Sequence, residues 1–252
     1  MSEYNLGFIS DEDIFEHVLD TVKKYRISPS SVNLKKFNKN LIDPIKLTFD
    51  SKVYSQDLTD IVENEILRQI DKTNNNHIGY FHQNIFKYFG NGWIVPQRGY
   101  DLENENENFF VELKNKHNTM NSSSSQKTYI KMQDSILRND KAICMLVEVI
   151  AKKSQNITWR ISLNGEPFAN NRIRRVSIDK FYELVSGDKH AFKKLCEKLP
   201  QIISDAVSSL DELVAQNSVM EELNAISPNL LKSLYLLSFQ KYEGFNEFKV
   251  EQ

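Results

Sequence analysis

The chain has 252 residues, 40% hydrophobic and 26% charged, with a formal net charge of −2 and two cysteines. That is enough apolar material to bury a large core; no run approaches the ~18 to 20 apolar residues of a membrane-spanning helix, and residues 1–5 lack the charged and apolar regions of a signal peptide, so one folded unit in the cytoplasm is expected. The near-neutral charge argues against a protein that coats nucleic acid through a general positive surface, and Cys144 and Cys196, far apart and without ligand spacing, indicate neither a disulfide framework nor a zinc site and are expected as buried packing residues.

Residues 10–25 open with Ser10-Asp11-Glu12-Asp13, a helix-start signal. Ile14, Phe15, Val18, Leu19 and Val22 follow at helical spacing and predict a first amphipathic helix. Ser28-Pro29-Ser30-Ser31 ends it. After a mixed stretch around Asp43-Pro44, a second helix is predicted over 56–71, with Leu58, Ile61, Val62, Ile66, Leu67 and Ile70 on one stripe. Thr73-Asn74-Asn75-Asn76 reads as a polar turn before a third helix over 77–89, closed by Gly90-Asn91-Gly92. From Trp93 the period becomes extended. Trp93-Ile94-Val95, a short strand ending at Asp101, and residues 109–114 are expected as strands, with the polar stretch 103–108 as the tip of a hairpin. Asn121-Ser122-Ser123-Ser124-Ser125 offers N-caps for a helix through Leu137, and 141–150, the most apolar run, predicts a fully buried central strand. Extended pieces at 157–163 and 172–178 precede a mainly helical tail from Asp179. The order implies an α/β fold, a mixed sheet flanked by helices, with helical parts at 1–76 and 179–252 around a core at 77–178.

The small total charge hides segregation along the chain. Residues 1–110 carry 12 basic and 17 acidic side chains, residues 111–200 carry 17 and 9, and residues 201–252 carry 3 and 8. A basic middle flanked by acidic segments suits a local DNA-binding face, since phosphate contacts need nearby cations and not a high overall pI. Ordinary surface lysines would give the same excess.

The chemistry concentrates on the hairpin. Side chains of a strand alternate, so in Val111-Glu112-Leu113-Lys114 the polar pair Glu112 and Lys114 shares one face while Val111 and Leu113 enter the core. If Asp101 lies opposite Glu112, the two carboxylates converge on an oxygen-ligand site for a hard divalent cation, with the carbonyl of Leu113 as a third ligand and Mg²⁺ as the ion such a set suits. Lys114 then stands where it can stabilise charge or orient and activate a water. Taken alone, the spacing of Glu112 and Lys114 favours a surface pair on a half-exposed strand. His77 and His82, five apart, do not share a helix face as zinc ligands would, so a histidine metal site with His117 is not expected and both are read as polar surface or DNA-proximal residues.

With D-x(10)-E-x-K in place, the chain resembles type II restriction endonucleases of the PD-(D/E)XK superfamily. Residues 40–47, 77–89, 111–132 and 173–187 resemble the members that read the interrupted palindrome GGNCC. Tyr100 replaces the proline that names the motif, and Gln83, four residues after Gly79, stands where many relatives carry a helical glutamate; it is a candidate active-site helix residue. The resemblance implies a PD-(D/E)XK core, Asp101, Glu112 and Lys114 as catalytic residues, water attack leaving 5′-phosphate ends, and a homodimer acting on double-stranded DNA, because a two-fold palindrome is most simply read by a two-fold dimer. Lys116, Asn118, Ser124, Gln126 and Lys127, just beyond Lys114 and at the start of the next helix, become candidates for backbone contacts. Arg160, Asn171, Arg172 and Arg174 become candidates for reading guanines, with Arg174 and Arg175 on opposite faces of an extended piece. A structure-selective repair nuclease of the same fold, or a noncatalytic DNA-binding protein, remain alternatives.

Overall fold

The computed structural model describes residues 3–40, 42–163, 165–210, 216–242 and 245. Cα packing divides the chain into two compact units, Met1–Val22 with Ile78–Leu210, and Lys23–His77 with Asp211–Gln252. The chain passes between them within two helices, α1 (Asp11–Ile27) and α4 (Leu58–Asn84), and a third time after Leu210. These boundaries differ from the consecutive parts 1–76, 77–178 and 179–252 expected from the sequence. The start of the chain belongs with the sheet because Tyr4, Leu6, Ile14 and Val18 are buried in its core.

In the first unit six strands form one mixed sheet: β1 (Trp93–Ile94), β2 (Leu102–Asn104), β3 (Phe109–Lys116), β4 (Ile143–Ile150), β5 (Asn156–Leu163) and β6 (Glu166–Ser177), in the order β1-β2-β3-β4-β6-β5. β2 and β3 pair as the expected antiparallel hairpin, Leu102 opposite Val111. β3 and β4 are parallel, as their connecting helix α5 (Ser122–Arg138) requires, and β6 continues the parallel run. The predicted strand at 172–178 is longer than expected, because 166–171 complete a long hairpin with β5. α5 starts at an N-cap where the Asn121 side chain accepts from the Ser124 N–H at 2.9 Å.

Alternation on β3 sends Val111 and Leu113 into a core shared with Met145, Val147, Phe81, Phe86 and Phe181; this face is covered by α1, the end of α4, and helices α6 (Ile178–Ser186) and α7 (Ala191–Ser208). The other face meets Tyr129, Met132 and Ile136 of α5, against Cys144, Leu146 and Ile173. Cys144 is buried as expected, but Cys196 is exposed. It follows buried Leu195 on α7, and one step around a helix turns it off the apolar stripe.

The second unit is helical in its described residues: α2 (Leu34–Lys39), α3 (Pro44–Tyr54), most of α4, α8 (Val219–Ile226) and α9 (Leu230–Phe239), around Phe37, Val62, Ile66, Leu223 and Leu234. The stretch around Asp43-Pro44, read only as mixed, starts α3: Asp43 accepts from the N–H groups of Ile45 and Lys46, and Pro44 takes the first helical position.

The expected break at Thr73-Asn74-Asn75-Asn76 does not occur, and α4 runs unbroken for 27 residues. Asparagine in a helix interior costs only about 0.7 kcal/mol relative to alanine. Local bonds offset part of that, from Thr73 Oγ1 to the Gln69 carbonyl (3.0 Å) and from Asn75 Nδ2 to Asp71 Oδ2 (2.9 Å), and the helix has buried residues on both sides of the polar run, Ile66 before it and Phe81 after it. Further along α4, His82 is not on an open polar surface. Its Nδ1 is buried without a hydrogen-bond partner among the described residues, and burial, with His17 nearby, lowers its pKa to about 4.

A pH dependence of stability follows. The folded pKa of His82 lies below its unfolded value, so below about pH 6.5 the unfolded chain binds a proton that the folded chain refuses. Stability is therefore lost as pH falls toward about 4, by about 2 to 3 kcal/mol from this residue. Urea denaturation of wild type and His82→Phe at pH 7.5 and 4.5 checks this: the variant should lose less on acidification, and an equal loss in both would remove His82 as the cause.

Candidate active site

The hairpin places the three motif residues together. Asp101 does not end a strand; it is a bend residue just before β2. Gly99, at φ +103°, turns the chain in a region favouring glycine, and the ladder then starts with the Asp101 N–H donating to the Val111 carbonyl at 3.0 Å. One step along the Leu102–Val111 register sets Asp101 beside Glu112.

Three oxygens converge on one point, and the Lys114 ammonium marks it. Lys114 Nζ lies 2.9 Å from Glu112 Oε1, 3.2 Å from the Leu113 carbonyl and 3.8 Å from Asp101 Oδ2. A set of two carboxylates and a main-chain carbonyl already gathered around a positive charge has the chemistry to hold a hard divalent cation. Among the described residues no group of three His, Cys, Asp or Glu side chains could hold a metal, so such an ion would keep waters in its remaining positions, as Mg²⁺ does.

The two carboxylates are held differently. Burial pushes the Asp101 carboxyl above its ordinary range, against the Leu113 N–H donating to Oδ2 at 2.7 Å and the nearby lysines, while the charge of Glu112 adds to the rise. Burial also raises Glu112, but hydrogen bonds from Lys114 and Lys131 outweigh it and hold that carboxyl below its usual value. Two carboxylates side by side with pKa values pushed apart are common in catalytic sites.

Two neighbours complete the pocket. Gln83 of α4 donates from Nε2 to the Asp101 carbonyl at 2.8 Å, so it reaches the bend through the main chain and not the carboxylate. Gly79, one turn earlier, faces the Asn115 side chain just past Lys114. Beside Asp101 opens a cleft of about 510 Å³ lined by Tyr80, Gln83, Asn84, Gln97 and Arg98. Tyr100, in the proline position, is buried beneath α5, its hydroxyl 2.8 Å from Ser135 Oγ.

Lys131 was not singled out by the sequence. It projects from α5, and its Nζ donates to Glu112 Oε2 at 2.9 Å and to the Gly99 carbonyl at 2.8 Å. The available signal was a lysine beside buried Met132, in the helix that follows the E-x-K strand. A second missed cluster lies at the end of the sheet. Glu148, aligned with Lys114 across β3 and β4, is 1% exposed; Arg175 pairs with both of its oxygens, Nε to Oε2 at 3.0 Å and Nη2 to Oε1, and His117 Nδ1 lies 3.2 Å from Oε2.

The candidate DNA contacts separate into two groups. Lys116, Asn118, Ser124 and Lys127 are exposed where β3 ends and α5 begins, and Gln126 donates to the Ser162 carbonyl at 3.0 Å. The others lie on the β5–β6 hairpin. Arg160 and Asn171 are exposed; Arg172 donates to the Asp140 carbonyl (2.5 Å), and Arg174 donates to Asn156 Oδ1 (2.9 Å) and the Asn156 carbonyl (2.6 Å). Arg174 and Arg175 do point to opposite faces; Arg175 shares the face of Glu112 and Lys114 and engages Glu148.

A family model described as Eco47II restriction endonuclease matches residues 6–208. The type II restriction enzyme Sau96I of Staphylococcus aureus is 32% identical over 218 residues, 83% of this chain and 84% of that protein. The type II restriction enzyme Eco47II of Escherichia coli is 30% identical over 214 residues, 81% of this chain and 88% of that protein.

Proposed function

Because the chain belongs to the Eco47II restriction endonuclease family, an endonuclease acting on double-stranded DNA in restriction, we propose that its first unit is a PD-(D/E)XK core. In this reading Asp101, Glu112 and Lys114 hydrolyse DNA at GGNCC with Mg²⁺ and leave 5′-phosphate ends. The observation that carries the assignment is the gathering of Asp101 Oδ2, Glu112 Oε1 and the Leu113 carbonyl within 3.8 Å of Lys114 Nζ. Among the described residues no helix is long and apolar enough to cross a membrane.

Asp101, Glu112 and the Leu113 carbonyl would hold Mg²⁺, which when bound supplies a Lewis acid and lowers the pKa of a coordinated water. Glu112, kept ionised by its two lysines, and Asp101, fixed by the Leu113 N–H, present their oxygens in one place. Lys114 faces the scissile phosphate, where its ammonium offsets charge accumulating on the phosphoryl oxygens and donates to the attacking water. Gln83 holds the Asp101 main chain against α4, so the bend keeps its aim when a phosphate enters. A two-fold site is cut on both strands by two copies of this chain, each using one such centre.

Base reading falls to the β5–β6 hairpin, with phosphate contacts from Lys116, Asn118, Ser124, Gln126 and Lys127. Arg160 is exposed, whereas Arg172 and Arg174 must exchange internal hydrogen bonds to read a base. Arg160→Ala should therefore reduce discrimination between a GGNCC duplex and a scrambled one by about 1 to 3 kcal/mol, and Arg174→Ala by less. Competition binding measures both, and undiminished discrimination in Arg160→Ala removes it from readout. Incubating short duplexes with Mg²⁺, with and without EDTA, tests the function itself: cleavage of GGNCC that a single change in the outer GG abolishes is expected. Equal cutting of both duplexes would contradict the proposed site.

A further inference from the structure

Asp101, Glu112, Lys114 and Lys131 form a cluster whose formal charges cancel. Both oxygens of Glu112 are engaged, Oε1 by Lys114 and Oε2 by Lys131, each at 2.9 Å. Lys131 comes from α5, an element independent of the E-x-K strand. Its ammonium is also pinned by the Gly99 carbonyl at 2.8 Å and lies 4.0 Å from the centroid of the Tyr100 ring, yet its side chain keeps 37% of its exposure. It therefore touches a candidate ligand and the bend that presents the other one, and it remains reachable from solvent.

A dication entering this neutral cluster would leave it with two excess positive charges, beside two ammonium groups. Repulsion between charges at such separations is large against thermal energy even when the surroundings screen it well. Phosphates of a DNA strand would restore the balance and draw the ammonium of Lys131 off Glu112. We propose that Lys131 couples metal binding to DNA binding: it neutralises Glu112 in the DNA-free protein, which makes the site a weak cation binder, and transfers its charge to a backbone phosphate when DNA arrives. The inference rests on the assignment of Asp101 and Glu112 as metal ligands. By linkage, DNA then tightens the metal and the metal tightens DNA by the same factor. The consequence is a nuclease centre that fills only on its substrate.

The test uses the full chain as wild type, Lys131→Met, Lys131→Gln and Asp101→Asn. Mg²⁺ alone and Ca²⁺ alone are titrated calorimetrically into each DNA-free protein, and the affinity for a labelled GGNCC duplex is followed by anisotropy with and without Ca²⁺. Without the ammonium the cluster carries a net negative charge, so Lys131→Met and Lys131→Gln should both bind the cations about tenfold more tightly than wild type in the absence of DNA. The enhancement of duplex binding by Ca²⁺ should shrink correspondingly. Unchanged or weaker cation binding in both variants would overturn the proposal and leave Lys131 a clamp on the bend. So would a Lys131→Gln protein that behaves as wild type beside a defective Lys131→Met, since that outcome assigns the effect to hydrogen bonding and not to charge. If Ca²⁺ does not strengthen duplex binding by wild type and Asp101→Asn matches wild type throughout, the ligand assignment itself fails, and the inference with it.

Discussion

Lys114→Ala is expected to lower the rate of DNA cleavage on the order of a thousandfold while the protein still folds and binds duplex. Lys114 is the cation on which the candidate ligand oxygens converge, and its removal takes away the donor that faces the phosphate. It leaves the hairpin ladder intact, since Val111 and Leu113 carry the packing and the side chain of Lys114 is only partly buried. Single-turnover cleavage with saturating enzyme separates chemistry from binding. A variant that cuts within a few-fold of wild type would remove Lys114 from the mechanism, whereas one that no longer binds duplex would make it a contact residue.

Glu148→Ala is expected to destabilise the first unit by about 3 to 5 kcal/mol. Glu148 is 1% exposed, and its carboxylate is the acceptor for Arg175 and lies against His117. Removing it leaves Arg175, most of whose side chain is covered by protein, with no carboxylate, beside the strand that carries Lys114. A buried pair need not be net stabilising, because desolvation opposes the attraction; breaking it from one side is what costs most. The double variant Glu148→Leu/Arg175→Leu should therefore be more stable than Glu148→Ala alone. Urea unfolding of the three proteins measures this, and a loss below about 1 kcal/mol in Glu148→Ala would show that water replaces the carboxylate at little cost.

The parts of this molecule that were legible in the sequence are those written locally. Alternation in Val111-Glu112-Leu113-Lys114 separates core from site, the polar tip at 103–108 joins the two hairpin strands, and Asn121 caps α5; each needs only a few consecutive residues. Local signals exist for α2 and α3 as well, in the N-caps Asn33 and Asp43 with Pro44 at the first helical position of α3. The continuity of α4 was not legible, since Thr73-Asn74-Asn75-Asn76 looks like a turn, and what keeps it helical is burial on both sides of it together with side-chain bonds within the helix. Lys131 and the Glu148–Arg175 pair depend on how α5 and β6 pack against β3 and β4. The side chains that meet there are separated by 19 residues for Lys131 and Glu112, and by 27 for Arg175 and Glu148, and no local pattern encodes such a meeting.

The most direct measurement of the central claim is digestion of a long, fully sequenced, unmethylated DNA by the purified protein with Mg²⁺, with every fragment end sequenced and with EDTA and Lys114→Ala as controls. Discrete 5′-phosphate ends that share GGNCC, absent from both controls, are the predicted result. Ends without a common sequence, or identical fragments from Lys114→Ala, would contradict the account.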